Sequence, residues 1–362
     1  MMNVNKIMDK ALCRISLTDK EVLYLLQLTD PLQREKLFLT ARMLRQSCFA
    51  NQVFLYGFVY FSTYCRNDCT FCYYRRSNTG CARYRKTPRE IIDIACALAE
   101  SGVNLIDLTM GEDPHYLSQH QAGYDKLIEV VALVKQATKL PVMISPGVVP
   151  RNVLQELKNA GASWYACYQE THNRQLYETL RVQQSYDERW AIKVYAKTIG
   201  MLVEEGLLVG VGDCGEDAVH SLREMNKLGA EQIRTMSFVP QKGTPLYSRT
   251  ATNNMDEINL IAVMRLLFPD KLIPASLDVE GVQGLKERLN AGANVVTSII
   301  PPEAGLVGVS QSTLDISEGN RTVKGVLPIL RDCGLTPAAT AEYVSWLERK
   351  QGQAAKGEAV CE

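Results

Sequence analysis

Eight short apolar runs recur along this chain, each followed by a longer amphipathic stretch, and that alternation limits the fold more than any other feature. The runs are Val53–Phe61, Leu105–Met110, Val142–Ile144, Ser163–Tyr168, Leu207–Val211, Gln232–Val239, Leu272–Leu277 and Asn294–Ile299. Their length and their β-branched and aromatic content read as strands. The stretches near 88–101, 123–138, 150–160, 186–205, 215–228, 255–267, 281–291 and 320–332 carry helical spacing. Several open on capping or breaking residues, as at Thr87-Pro88 and Val149-Pro150, and several stop at glycine: Gly102, Gly161, Gly206, Gly229 and Gly292. Strands alternating with helices of this length make a parallel sheet, and eight units are what a closed (βα)8 barrel requires. A doubly wound open sheet satisfies the same linear order, but the unit count favours closure. The expected architecture is α/β: a single (βα)8 TIM-type barrel over 51–335, a helical extension before it (1–50), and a C-terminal helix with a frayed tail after it (336–362).

Composition sets the class. With 46% apolar and 22% charged residues, the 362-residue chain supports a substantial core and reads as globular. Lysine and arginine together number 40, as do aspartate and glutamate, so overall charge directs the chain neither to nucleic acid nor to an acidic membrane surface. No stretch of about 18 uninterrupted apolar residues offers a membrane span. The opening Met1-Met2-Asn3-Val4-Asn5-Lys6 leads into mixed polar sequence rather than a signal-peptide core. The eleven cysteines are odd in number and irregularly scattered, which suits a cytoplasmic location better than a secreted disulfide framework.

Three of those cysteines sit close together. Cys65, Cys69 and Cys72 form a C-x3-C-x2-C loop just past the first strand, with Phe71 immediately before the third thiol. A [4Fe-4S] cluster ordinarily takes four thiolates. Three near neighbours without a local fourth leave one iron open, as a catalytic metal site requires. A structural zinc knuckle needs a fourth ligand at short range, and Cys81, nine residues on, is the candidate for it.

In α/β barrels chemistry gathers in the loops after the C-terminal strand ends. The unusual polar motifs here all follow strands: the cysteine loop, Gly111-Glu112-Asp113, Ser145-Pro146-Gly147, Gln169-Glu170-Thr171, Gly212-Asp213 and the segment 240–243. Ser276, Asp278 and Thr297-Ser298 close the last two strands. Three charged residues, Asp107, Arg234 and Asp278, lie inside strands or at their ends. An unpaired buried ion is costly even after relaxation, so each needs a partner. They can pair among themselves. A free amino acid meets the same demand from outside, its carboxylate on the Arg234 guanidinium and its ammonium on an acid. A diamino acid such as lysine would use both Asp107 and Asp278.

At the cysteine loop the sequence resembles the radical S-adenosylmethionine (SAM) superfamily. The segments 60–65, 107–114, 143–147, 168–171, 240–245, 272–278 and 290–298 are similar, more narrowly, to the 3-methylornithine synthases of pyrrolysine biosynthesis. The resemblance implies a [4Fe-4S] cluster on Cys65, Cys69 and Cys72, with SAM on its open iron. It implies SAM contacts at Phe71, at Gly111-Glu112, where a backbone carbonyl approaches the SAM amino group, and at Ser145. Glu170 and Arg189 match an acid and an arginine that bind SAM in the related hydrogenase maturase subgroup. An arginine fork suits the SAM carboxylate, and a mutual Glu170–Arg189 ion pair is the structural alternative. The resemblance further implies L-lysine as substrate, bound by Asp107, Arg234, Ser276 and Asp278. Lysine would be isomerised to (3R)-3-methyl-D-ornithine by way of a 5′-deoxyadenosyl radical, with no catalytic residue beyond the cluster and SAM.

A maturase-like enzyme acting on another small amino acid or a thiol-derived substrate is the alternative. Sulfur insertion of the biotin synthase kind is disfavoured: strands 105–110 and 142–144 hold no cysteine, and Cys167 alone reads as packing. The electron would come from a low-potential reductant such as ferredoxin or flavodoxin. Arg75, Arg76, Arg83, Arg85, Lys86 and Arg89 form either a solvated loop or a docking surface for such an acidic partner.

Overall fold

Three helices precede the first strand: α1 (Val4–Leu12), α2 (Asp19–Leu26) and α3 (Pro31–Phe49). Side-chain caps set their starts. Asn3 accepts from the Asn5 and Lys6 amides, Thr18 and Glu21 form a reciprocal capping box, and Asp30 caps the helix that Pro31 opens. The computed structural model describes residues 2–117, 121–250, 254–308, 310 and 320–355, so the tail from 356 on lies outside the described residues.

Strand and helix then alternate through β1 (Gln52–Ser62), α4 (Pro88–Glu100), β2 (Leu105–Met110), α5 (Gln121–Thr138), β3 (Val142–Ser145), α6 (Arg151–Asn159) and β4 (Ala162–Ala166). Two helices follow β4, α7 (Arg174–Leu180) and α8 (Tyr186–Thr198). The pattern resumes with β5 (Leu202–Val209), α9 (Gly215–Leu228), β6 (Gln232–Ser237), α10 (Asn254–Leu267), β7 (Pro274–Ser276), α11 (Leu285–Asn290), β8 (Val295–Ile299) and α12 (Val323–Asp332). A two-residue β9 (Thr336–Pro337) and α13 (Thr340–Ala355) follow.

The strands lie in the order β6-β5-β4-β3-β2-β1-β8-β7, each pairing parallel to its neighbour, and β9 adds to the start of β1. The edge strands meet at a parallel bridge between Gln232 and Leu272, where the Ile233 amide donates to the Leu272 carbonyl at 3.0 Å. That bridge brings the eight strands to a nearly closed barrel. Among the described residues no helix is long and apolar enough to cross a membrane.

Strand β1 shows how the barrel is filled. Val53, Leu55, Val59 and Phe61 face the surrounding helices, while Phe54, Tyr56, Phe58 and Tyr60 face the interior, the period-two alternation of a strand buried on both sides. The interior aromatics continue into α13. Trp164 stacks on Trp346 with ring centres 6.0 Å apart and planes 5° from parallel, and the Tyr56 and Tyr343 hydroxyls lie 2.7 Å apart. Trp346 is 5% and Tyr343 0% exposed, so α13 seals the end of the barrel where the strands begin.

Two expectations shift here. The helix expected over 186–205 stops at Thr198, because Gly200 adopts φ +81° and the chain closes a Schellman turn. In that turn the Met201 amide bonds the Ala196 carbonyl and the Gly200 amide bonds the Lys197 carbonyl. Consequently β5 begins at Leu202 rather than Leu207, which places Glu204 and Glu205 on a barrel strand. The second shift is α7, which lies between the fourth and fifth strands where no helix was expected.

Candidate active site

Past the end of β1 the chain folds over the mouth of the barrel and is tied to its neighbours by backbone bonds. The Arg66 amide donates to the Glu112 carbonyl at 2.9 Å, the Thr70 amide to the Leu180 carbonyl at 2.9 Å, and the Gly111 amide to the Ser62 carbonyl at 2.9 Å. Gly111 is required by this crossing: a Cβ there would stand 2.3 Å from the Tyr64 carbonyl oxygen. Cys65, Cys69 and Cys72 all line the cavity in the mouth. Burial pushes the Cys65 thiol up to about 11, and burial together with Cys69 and Cys65 pushes Cys72 up as well. Cys81 is not among the lining residues, and its thiol donates to the Ala82 carbonyl at 3.7 Å. It therefore does not join the other three.

Beside the cysteines stands a set of buried ion pairs. Glu112 is bound from both sides, by Arg66 at 3.0 Å and Arg189 at 3.0 Å. Glu170, held at φ +69° and bonded through its backbone to Gly206 and Leu208, pairs with Arg181 at 2.6 Å. The mutual Glu170–Arg189 pair considered from sequence does not form; each takes another partner. Arg189 also donates to the Cys167 sulfur at 2.9 Å, so Cys167 is a hydrogen-bond acceptor as well as a packing residue. Phe71 lies under the Arg181 guanidinium, 5.6 Å from ring centre to carbon. Ser145 donates to Asp107 at 3.4 Å.

Deeper, within the strands, lies the second charged group. Arg234 is 2% exposed; its Nε donates to Glu204 at 2.7 Å and its Nη1 to Thr297 at 3.1 Å, while Nη2 has no partner among the described residues. Tyr168 donates to the other oxygen of Glu204 at 2.6 Å. Asp278 accepts from Tyr60 at 2.9 Å, from Ser298 at 2.8 Å and from Arg321 at 2.8 Å. Asp107 accepts from Thr109 at 2.8 Å as well as from Ser145 and, among the described residues, meets no cation in direct contact. Burial first, and Glu204 second, push its carboxyl up to about 7. Arg234 and Asp278 line the cavity directly, whereas Asp107 and Ser276 are bonded to residues that do. Asp107 is reached through Thr109 and Ser145, which do line it. Ser276 accepts from the Asp278 amide at 3.3 Å and so supports that loop.

Residues 59–225 match the Radical SAM superfamily pattern. The chain is 44% identical to the 3-methylornithine synthase of Methanosarcina acetivorans over 335 residues, 92% of this chain and 94% of that protein. The crystal structure of a methylornithine synthase superposes with a TM-score of 0.89 at 43% identity, covering 94% of this chain and 99% of that one. The chain belongs to the 3-methylornithine synthase family. It is also 30% identical over 274 residues to the [FeFe] hydrogenase maturase subunit HydE of Thermotoga maritima, covering 75% of this chain and 77% of that subunit. For a 3-methylornithine synthase family member within the radical SAM superfamily, a [4Fe-4S] cluster and SAM are the implied cofactors.

Several residues of this family member's site were not singled out from the sequence. Glu204, Arg321, Arg181 and Gln184 all touch residues that were. Glu204 was hidden by the overrun helix, and Arg321 reaches Asp278 across 43 residues. Several charges of the basic run after the cysteine loop have partners within the chain. Arg83 turns inward and donates to the carbonyls of Thr63, Tyr74, Arg75 and Asn78. Arg85 pairs with buried Asp113 at 2.7 Å, and Arg76 with Asp68 at 2.7 Å. Arg83 and Arg85 thus hold the loop together, while Arg76 and Arg89 keep largely exposed side chains.

Proposed function

We propose that this chain isomerises L-lysine to (3R)-3-methyl-D-ornithine, the first step of pyrrolysine biosynthesis, as a radical SAM carbon-skeleton mutase. Family membership supports the reaction class, and the observation that carries the substrate is the charge count of the inner site. Arg234 is balanced by Glu204 and Arg321 by Asp278, which leaves Asp107, among the described residues of this inner group, without a cation in contact. An amino acid with one carboxylate and two ammonium groups brings the single positive charge that this site lacks.

The donor set fits a [4Fe-4S] cluster with SAM. Three thiols line one cavity, and desolvation pushes those of Cys65 and Cys72 up; iron is the kind of ligand that makes such thiols ionise. Cys65, Cys69 and Cys72 would hold the cluster. Phe71, Gly111, Glu112, Ser145, Glu170 and Arg189 would hold SAM, with the Arg189 guanidinium suited to its carboxylate. When bound, cluster and SAM would supply hydrogen-atom abstraction and return at a carbon centre. The chain's own work is placement. The free Nη2 of Arg234 receives the lysine carboxylate, Asp107 and Asp278 receive its ammonium groups, and Ser276 keeps the Asp278 loop in position. The sealed base and the aromatic walls of Phe58, Tyr60 and Tyr168 keep fragments together and exclude water and stray hydrogen donors.

The test is anaerobic incubation of the reconstituted protein with SAM, a low-potential reductant such as ferredoxin or flavodoxin, and L-lysine. An isomer of unchanged mass and new retention is expected. Unaltered lysine beside abundant 5′-deoxyadenosine would point to another substrate.

A further inference from the structure

Each of the three cysteine sulfurs faces hydrogen-bond donors, and those that meet Cys69 come from far away in sequence. Cys65 meets the Asn67 amide at 3.5 Å, and Cys72 meets the amide of Tyr74. Cys69 meets the side-chain amide of Gln184 at 3.0 Å, 115 residues distant, and more loosely the Arg181 guanidinium at 3.7 Å. Gln184 sits in the tight connection between α7 and α8. There Gln183 adopts φ +61°, and the Gln184 amide bonds the Arg181 carbonyl at 3.0 Å. This turn directs the Gln184 side chain inward.

The orientation of that amide is fixed by its other end. The Gln184 oxygen accepts from Arg189 at 2.7 Å and from Arg181 at 3.5 Å. Both guanidinium groups can only donate, so the oxygen must face them and the nitrogen must face the sulfur. A flipped amide would set donor against donor at one end and oxygen against sulfur at the other. Gln184 therefore joins two parts of the site through one rigid group: a cluster ligand on one side, and on the other the arginine assigned to the SAM carboxylate.

We infer that Gln184 is a positioning residue that sets the reduction potential of the cluster through its hydrogen bond to Cys69. The inference rests on the cluster assignment made above. A donor to a ligating sulfur stabilises the electron-rich reduced cluster and so raises its potential; losing the donor lowers it. The same side chain anchors Arg189, so its loss also loosens the guanidinium that would take the SAM carboxylate.

The experiment is a redox titration of the anaerobically reconstituted protein followed by electron paramagnetic resonance, on wild type, Q184M, Q184E and Q183N. Q184M keeps the length without the polar group, and Q184E keeps acceptors for the arginines without the donor. Both are expected to shift the midpoint to more negative values, while Q183N, altering the exposed neighbour, retains the wild-type midpoint. A midpoint is independent of the fraction loaded, so partial occupancy does not blur the comparison. If one Gln184 variant takes up no cluster, the other decides. Midpoints that coincide with wild type overturn the inference, as does an equal shift in Q183N. A wild-type protein that assembles no [4Fe-4S] cluster overturns the cluster assignment itself, a different and distinguishable failure.

Discussion

Replacing Asp107 with asparagine should strengthen the empty protein and disable its binding site, with the balance set by pH. The native carboxyl is 1% exposed and pushed from 3.8 to about 7. A carboxyl raised on folding binds more protons folded than unfolded, so its contribution to stability falls as pH climbs from 3.8 towards 7 and levels off above. At 1.36 kcal/mol per unit, this removes about 2 to 3 kcal/mol between pH 5 and pH 7. Asparagine keeps an oxygen for Thr109 and Ser145 and carries no such penalty. Denaturant unfolding of substrate-free protein should therefore show D107N gaining on wild type by that amount across the interval and holding a constant lead beyond it.

Lysine binding runs the other way. The ammonium prefers the ionised acid, of which about one site in eleven is available at pH 6 and ten in eleven at pH 8, so the wild-type Kd should fall about tenfold over that range. In D107N the affinity should be at least about 100-fold weaker, the effect of stranding a buried charge, and independent of pH. A stability difference that stays level between pH 5 and 7, or a wild-type Kd that rises with pH, would refute the reasoning.

Three further outcomes follow from the same geometry. Because Glu204 contributes to raising Asp107, E204Q should move the pH dependence of lysine binding to lower pH, and an unmoved calorimetric profile would deny the coupling. Loss of the charged hydrogen bond to Arg234 should also lower stability by about 1 to 3 kcal/mol. Trp346→Ala should cost about 3 to 5 kcal/mol in denaturant unfolding, as expected for a buried indole removed from a packed interior. Arg83→Ala should reduce iron content and slow turnover equally with dithionite and with flavodoxin; slowing confined to the protein reductant would restore a docking role.

The barrel was legible because its signal is periodic: apolar runs recur with helical stretches between them, and each strand end carries polar residues. The three cysteines were legible because they are neighbours in the chain. What escaped depends on distance and context. Glu204 and Glu205 look like an exposed helical face, and only the turn at Gly200 places them on a strand, where Arg234 and Lys193 neutralise them. Arg321 and Asp278 are joined by folding alone. Arg83 reads as surface charge, yet its guanidinium replaces missing backbone partners inside an irregular loop, a role with no sequence period. Arg234 takes Glu204 and Asp278 takes Arg321, partners that could not be read from composition or spacing.

The plug that α13 places under the barrel has a kinetic consequence. With Trp164, Trp346 and Tyr343 closing the base, traffic runs through the mouth. The charged groups are stacked along that route, Arg234 and Asp107 within the strands and Glu112, Glu170, Arg189 and the cysteines in the loops beyond. A molecule seated in the outer layer stands across the path of one seated in the inner layer. With lysine in the inner layer and SAM in the outer one, as proposed above, entry would be ordered, the inner ligand arriving first and leaving last. Half-reacted material in the inner layer would then have no exit until the outer tenant had gone, and the fold would impose a queue on the reaction.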